Sequence, residues 1–414
     1  MEMQSNLGAN NNLMRNSNSD IRSVNGELDK KYNQGLDWFL NSEYYTANIP
    51  VTFLYLNEAN HLETTGQPWQ EGRTVSFSKQ YVSGDKVIIY YANEVASNNE
   101  QSLIQNFLKK HNVPLKDVIL VGNLFEYEGR QTKVGLDLGL APSQMLMIDY
   151  YELQTFFFHK VLGCDYNKSF NPYAAKDIKY LFGKIDKPVR IITMYKLWEQ
   201  GLLGNAVTGC LVDGSDIDSL AKQISEEFSK WCKQDVPYES ISQMLKTHHG
   251  SPDNVSYYYF TLSDAIKQNA ECLFDKINHC PSYPYDHQIL FTESKVSLIP
   301  ETFYYTRQAH FLTEKTYKTI YNHHPFTILG TAGLLETLRS KGYKTFNGIC
   351  DEMYDLCPND RKRVDLVINA TRELLNSPNL EEIDTITKHN FAQLEKNSLA
   401  TVDQLNAIIL DNFS

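Results

Sequence analysis

The chain has 414 residues, 42% hydrophobic and 21% charged, which suits globular domains rather than disorder and leaves room for about two cores. Its formal net charge is −11 and its pI is near 5.5, which argues against a surface that coats nucleic acid generally, although a local basic cleft stays open. Seven cysteines, an odd number without a C-x-x-C pair, read as reduced thiols in a cytoplasm-like compartment rather than a disulfide frame or zinc site. No apolar run approaches the roughly 18 residues that a membrane helix needs, so no membrane partner is expected.

Residues 1–35 are polar and Asn-rich, and they bury too little apolar surface to repay ordering. They read as a tail that only a protein partner would order. Residues 36–176 read as an N-terminal α/β domain. Val51–Leu56, Lys86–Tyr91, Val118–Val121 and Met145–Ile148 are short apolar runs of the buried-strand kind, with an amphipathic helix over Ser102–His111. Phe156–Lys176 reads as a connector. Residues 177–360 read as a second α/β domain: strand Ile178–Phe182, helix Val189–Gln200 stopped at Gly201, strand Val207–Val212, and helix Asp216–Lys233. Residues 235–287 read as an irregular insertion with one helix near Leu262–Ile277. From Val296 the alternation resumes, and Pro300–Tyr354 reads as a strand–helix–strand–helix unit. Residues 361–414 close the chain with helices Lys362–Asn376 and Leu380–Asn397. The β–α–β rhythm throughout predicts parallel sheets with right-handed crossovers.

Two stretches carry the residues that anion chemistry needs. In the first, a strand ends at Gly183-Lys184 and Pro188 suits the first turn of the next helix. Lys184, Lys187 and Arg190 therefore gather around a helix N-terminus, where free N–H groups already favour an anion. A solvated basic loop is the plainer explanation for three cations in eight residues. In the second, Thr313 is a natural N-cap, Glu314 suits the first helical turn, and Lys315 and Lys318 project from nearly one face. Ligands of doubly wound sheets collect beyond the strand C-termini, where such helices begin. An ordinary capped helix explains the same residues without a ligand.

The string Phe311-Leu-Thr-Glu-Lys-Thr-Tyr-Lys-Thr-Ile, with Pro325-Phe326 and Gly330 downstream, resembles the donor-site segment of fucosyltransferase-like enzymes. It resembles more closely a group of bacteriophage and algal-virus proteins described as glycosyltransferase-like. In that group Gly342-Tyr343-Lys344-Thr345-Phe346, Asp351-Glu352-Met353-Tyr354-Asp355 and the stretch from Gly183 through Arg190 to Leu203 also find counterparts. The resemblance covers residues 178–212 and 291–365, about a quarter of the chain. It implies an α/β fold of two Rossmann-like domains facing across a cleft, called GT-B, with the nucleotide-sugar bound mainly by the C-terminal domain. It implies ribose contact by Glu314, diphosphate contact by Lys315 and Arg190, and an acidic residue, Glu301, just before the donor loop. Thr313, Lys318 and Lys184 complete the expected donor-binding set. The family's Asn-Arg pair before the helix is replaced here by Gly183-Lys184.

The resemblance thus implies a phage or viral glycosyltransferase acting in the host cytoplasm, with a nucleotide-sugar as substrate and no metal or other cofactor. Asp216-Ile217-Asp218 is formally a D-x-D metal motif but reads as a helix cap. Glu94, after the Lys86–Tyr91 strand, is the candidate base on the acceptor side. DNA carrying modified bases is one candidate acceptor, with Lys184, Lys187, Lys295, Arg307 and Lys318 as the cations available to meet its phosphates. A glycan or protein is the other. The alternative is a virion or assembly protein that keeps the fold without catalysis.

Overall fold

The computed structural model describes residues 39, 42–58, 73–77, 85–90, 98–124, 130–161, 170–184, 188–211, 217–232, 236–248, 258–259, 291–292, 294–305 and 310–414. The expected tail, the helix near Leu262–Ile277, Glu94, Lys187, Asp216 and Arg307 lie outside them. The chain is mixed α/β and divides into two compact units. The described residues of the first fall within Met1–Tyr150 and Leu399–Ser414, and those of the second within Tyr151–Leu273 and Ser282–Ser398.

The first unit holds a five-stranded sheet of order β2-β1-β3-β4-β5, formed by Val51–Glu58 (β1), Arg73–Phe77 (β2), Lys86–Tyr90 (β3), Val118–Asn123 (β4) and Met145–Ile148 (β5). The strands β1, β3, β4 and β5 run parallel, as their unbroken apolar runs require, and β2 adds antiparallel to the edge. Between β3 and β4 lies helix α1 (Asn98–Lys110), whose Ile104, Phe107 and Leu108 pack with Val87, Ile89 and Leu120. Helix α2 (Arg130–Asp137) precedes β5 so closely that a Cβ on Gly135 would stand 2.4 Å from Met145 Sδ.

Helix α3 (Tyr150–Val161) follows β5 directly, so the expected connector begins as a helix. The second unit holds a sheet of order β10-β9-β6-β7-β8, from Lys176–Lys184 (β6), Ala206–Leu211 (β7), Tyr258–Tyr259 (β8), Ser294–Pro300 (β9) and Phe326–Leu329 (β10). All pairs are parallel except β7–β8. Helix α4 (Pro188–Glu199) joins β6 to β7 and ends at Gly201, whose φ of +71° a glycine adopts without strain. Helix α5 (Ile217–Cys232) buries Ala221, Ile224 and Phe228. It is followed by α6 (Tyr238–His248), a helix inside the stretch expected to be irregular.

Helix α7 (Glu314–Tyr321) joins β9 to β10, and α8 (Leu334–Ser340) follows β10. Helix α9 (Asp360–Leu375) packs on β9, β10 and α4, so α4 and α9 cover one face of the sheet. The last helix, α10 (Leu380–Phe413), is 34 residues long, well beyond its expected end at Asn397. The helical spacing of apolar positions continues past that point, with Val402, Leu405, Ile409 and Phe413 buried. Among the described residues no helix is long and apolar enough to cross a membrane.

Candidate functional site

In the second unit the chain leaves β6 toward β7 on one side and β9 toward β10 on the other. The direction of winding therefore reverses between two adjacent parallel strands, β6 and β9. Right-handed crossovers then send α4 and α7 over opposite faces. Their first turns flank the crevice at the carboxyl edge, which is where doubly wound sheets bind ligands. Lys184 is the last residue of β6, Arg190 is in the first turn of α4, and Glu301 directly follows β9. Thr313, Glu314 and Lys315 begin α7. Six of the expected donor residues thus share one edge of one sheet.

The start of α7 is fixed by Glu301. This carboxylate is 2% exposed and accepts from the Thr313 amide (3.1 Å), the Thr313 hydroxyl (2.6 Å), the Thr316 hydroxyl (2.5 Å) and the Thr302 amide (3.3 Å). Such saturation stabilises a charge that would otherwise be costly to bury. Thr313, in extended backbone, in turn accepts from the Lys315 amide at 3.4 Å and caps the helix. Glu301 therefore acts from behind the helix end, and the atoms it presents to the edge are those of Thr313.

Glu314 and Lys315 lie further out. Burial opposes ionisation of Glu314, but the ammonium groups of Lys315 and Lys318 outweigh it and hold the carboxyl down at about 2. With 31% of its side chain exposed, Glu314 feels that attraction partly screened by solvent. Lys315 Nζ donates to Glu314 Oε1 and Thr313 Oγ1, each at 3.1 Å, which leaves one of its three hydrogens for a further acceptor. An ionised carboxylate beside a partly exposed ammonium matches a ligand that offers hydroxyls next to an anion. Lys318 is 8% exposed, so it sets the field around Glu314 rather than reaching outward. Arg190 is also buried, at 5% exposed, with its carbonyl held by the Tyr180 hydroxyl at 2.9 Å.

Further along, two carboxylates fix the turns that follow β10. Asp355 accepts from the amides of Gly333 (3.1 Å), Leu335 (3.0 Å) and Glu336 (3.3 Å), so its carboxylate caps α8. Glu352 accepts from the Phe346 amide (2.7 Å), the Thr345 hydroxyl (2.8 Å) and Arg339 (3.1 Å). Burial pushes both carboxyls up.

Arg363 lies in the charged run Asp360-Arg361-Lys362-Arg363 that opens α9, yet it does not face solvent. Asn359 caps α9 through the amides of Arg361 and Lys362, but Arg363 is 1% exposed. Its guanidinium donates to the carbonyls of Gly330 (2.9 Å), Cys357 (2.7 Å) and Tyr304, and to Asp360 (2.7 Å). One side chain thereby ties the segment after β9 to the segment after β10. The signal was present: Arg363 falls on the stripe of Val367, Ala370 and Leu374, at helical spacing.

Lys295, offered above as a cation near the donor segment, stands at the other end of the sheet. It is the second residue of β9 and pairs with Asp177, the second residue of β6, at 2.8 Å. His324 is a core group: its Nε2–H donates to the Ser294 carbonyl (2.7 Å) and Nδ1 lies 2.9 Å from the Ser297 hydroxyl. Among the described residues no group of three or more His, Cys, Asp or Glu is placed to hold a metal ion. No known protein family, curated protein sequence or solved structure matches the chain.

Proposed function

We propose that the second unit binds a nucleoside diphosphate-sugar at the carboxyl edge between β6 and β9, and that the protein is a GT-B-type glycosyltransferase. The observation that carries this reading is the reversal of winding between those strands, with Thr313-Glu314-Lys315 at one flanking helix start and Arg190 at the other. In this reading Glu314 accepts hydrogen bonds from ribose hydroxyls. Lys315 and Arg190, with the helix N-termini, meet the diphosphate and stabilise the charge it gains as the glycosidic bond breaks. The acceptor is a hydroxyl.

A catalytically silent scaffold is the second reading. It is favoured by the completeness with which Glu301 is satisfied by the protein's own groups. Titration of the full chain with UDP, GDP and their sugar conjugates separates the two. Saturable binding that Lys315→Ala weakens by about 1–3 kcal/mol supports the transferase. No binding of any nucleotide by the wild-type protein leaves the scaffold.

A further inference from the structure

His310 stands exposed just ahead of Phe311-Leu312-Thr313, and its ring lies against Gly333 beyond the end of β10. A Cβ on Gly333 would be 2.6 Å from His310 Cε1, and Gly333 has φ +92°, so only glycine admits both the ring and the backbone. Gly330, directly after β10, lies against the other strand end: a Cβ there would sit 3.4 Å from that of Glu301. His310 therefore belongs to the same carboxyl edge as Glu301 and Thr313.

Its orientation is set by Thr337. The Thr337 hydroxyl oxygen lies 3.2 Å from His310 Nδ1 and 3.1 Å from the Gly333 carbonyl oxygen. A single hydroxyl hydrogen serves both contacts only if it goes to the carbonyl while the hydroxyl oxygen accepts Nδ1–H. The neutral imidazole then carries its hydrogen on Nδ1 and keeps the Nε2 lone pair for an outside donor.

We infer that His310 Nε2 accepts a hydrogen bond from a hydroxyl of the transferred sugar, an inference that rests on the donor-site reading above. A neutral Nε2 has no hydrogen to give a diphosphate, whose oxygens only accept. It requires an O–H or N–H donor; with the ribose hydroxyls on Glu314, those left are the sugar's hydroxyls and the N–H groups of the base, and only the sugar's are absent from the nucleoside diphosphate. Thr337 and Gly333 are positioning residues for that contact.

The test is calorimetric titration of the full chain at about pH 8, above the ordinary imidazole range. The probes are UDP-glucose, UDP-N-acetylglucosamine, GDP-mannose and GDP-fucose, each beside UDP or GDP. His310→Ala is expected to weaken the preferred nucleotide-sugar by about three- to tenfold, the scale of one neutral hydrogen bond, and to leave the nucleoside diphosphate unchanged. His310→Gln keeps an acceptor and is expected to recover part of the loss. Equal weakening of both ligands, or of neither, overturns the contact while leaving the donor site intact. A wild-type protein that binds none of the probes overturns the donor site and this contact with it.

Discussion

The Glu301 carboxylate takes both polar hydrogens of Thr313, the amide at 3.1 Å and the hydroxyl at 2.6 Å. The end of β9 and the start of α7 are thereby joined through one buried charge, and Thr313 is left with its oxygen turned to the Lys315 amide. Replacing Glu301 strands the hydrogens of Thr313 and Thr316 in a buried place. We expect Glu301→Ala to cost about 2–4 kcal/mol in chemical denaturation, with Glu301→Gln intermediate because one oxygen remains. A Glu301→Ala protein as stable as wild type would show that these contacts do not hold the helix start.

Lys315 and Lys318 are expected to separate by phenotype. Lys315 is partly exposed and has a spare hydrogen, whereas Lys318 is buried on α7. Lys315→Ala should weaken nucleotide binding by about 1–3 kcal/mol and leave the thermal midpoint nearly unchanged. Lys318→Ala should lower the midpoint while changing affinity less. Both variants release Glu314 from part of the field that holds its carboxyl at about 2, so its titration should move up in each. The reverse pattern of binding and stability would place Lys318, not Lys315, at the ligand.

Much of this architecture was legible because burial and backbone needs leave plain marks. Four apolar runs of the first unit became parallel strands, since a strand covered on both faces has no reason to alternate. Thr313 reads as a cap because its hydroxyl replaces a missing helical acceptor, and it does so here. Arg363 hid because its charge suggests solvent, whereas its five N–H groups match the carbonyls left unpaired where strands give way to loops. Strand β2 hid for a different reason. An antiparallel edge strand is specified largely by its partner, and Arg73–Phe77 offers only Val75 and Phe77 as alternating apolar positions. Helix α6 was concealed by Tyr, Ser and His, whose weak helical preference is overridden by burial of Ile241 and Met244.

Acid should destabilise the second unit through His324. Burial, with Lys179 adding to it, depresses this imidazole from 6.5 to about 3, so the native state refuses a proton that the unfolded chain accepts. Stability is then fully present above about pH 6.5 and falls as pH drops toward 3, by up to about 1.4 kcal/mol per unit. Glu314 adds a second loss at lower pH, between its ordinary 4.5 and about 2. The raised carboxyls of Glu352 and Asp355 act in the opposite sense, so the comparison must be with a variant. Urea denaturation of wild type and His324→Gln between about pH 7 and 5 isolates the histidine. A flatter slope in the variant is expected, and parallel slopes would assign the acid sensitivity elsewhere.

The last prediction concerns the acceptor. A protein that acts on bases in duplex DNA must neutralise phosphates beside the site and unstack its target. Of the cations first considered for that work, Lys295 is at the amino edge of the sheet and paired to Asp177, and Lys318 is buried. Lys315 is engaged with Thr313 and Glu314 and serves the diphosphate in the donor reading. With Lys295 at the far edge, Lys318 buried and a formal charge of −11, the described side chains assemble no phosphate-binding face. We therefore expect no measurable association with a random duplex at about 50 mM salt, where phosphate contacts are strongest, and none at higher salt. Lys295→Glu should change nothing, since that residue faces away from the carboxyl edge. Steeply salt-dependent binding that Lys295→Glu abolishes would reverse the conclusion and make DNA the leading acceptor; binding that survives Lys295→Glu would point instead to Lys187 and Arg307.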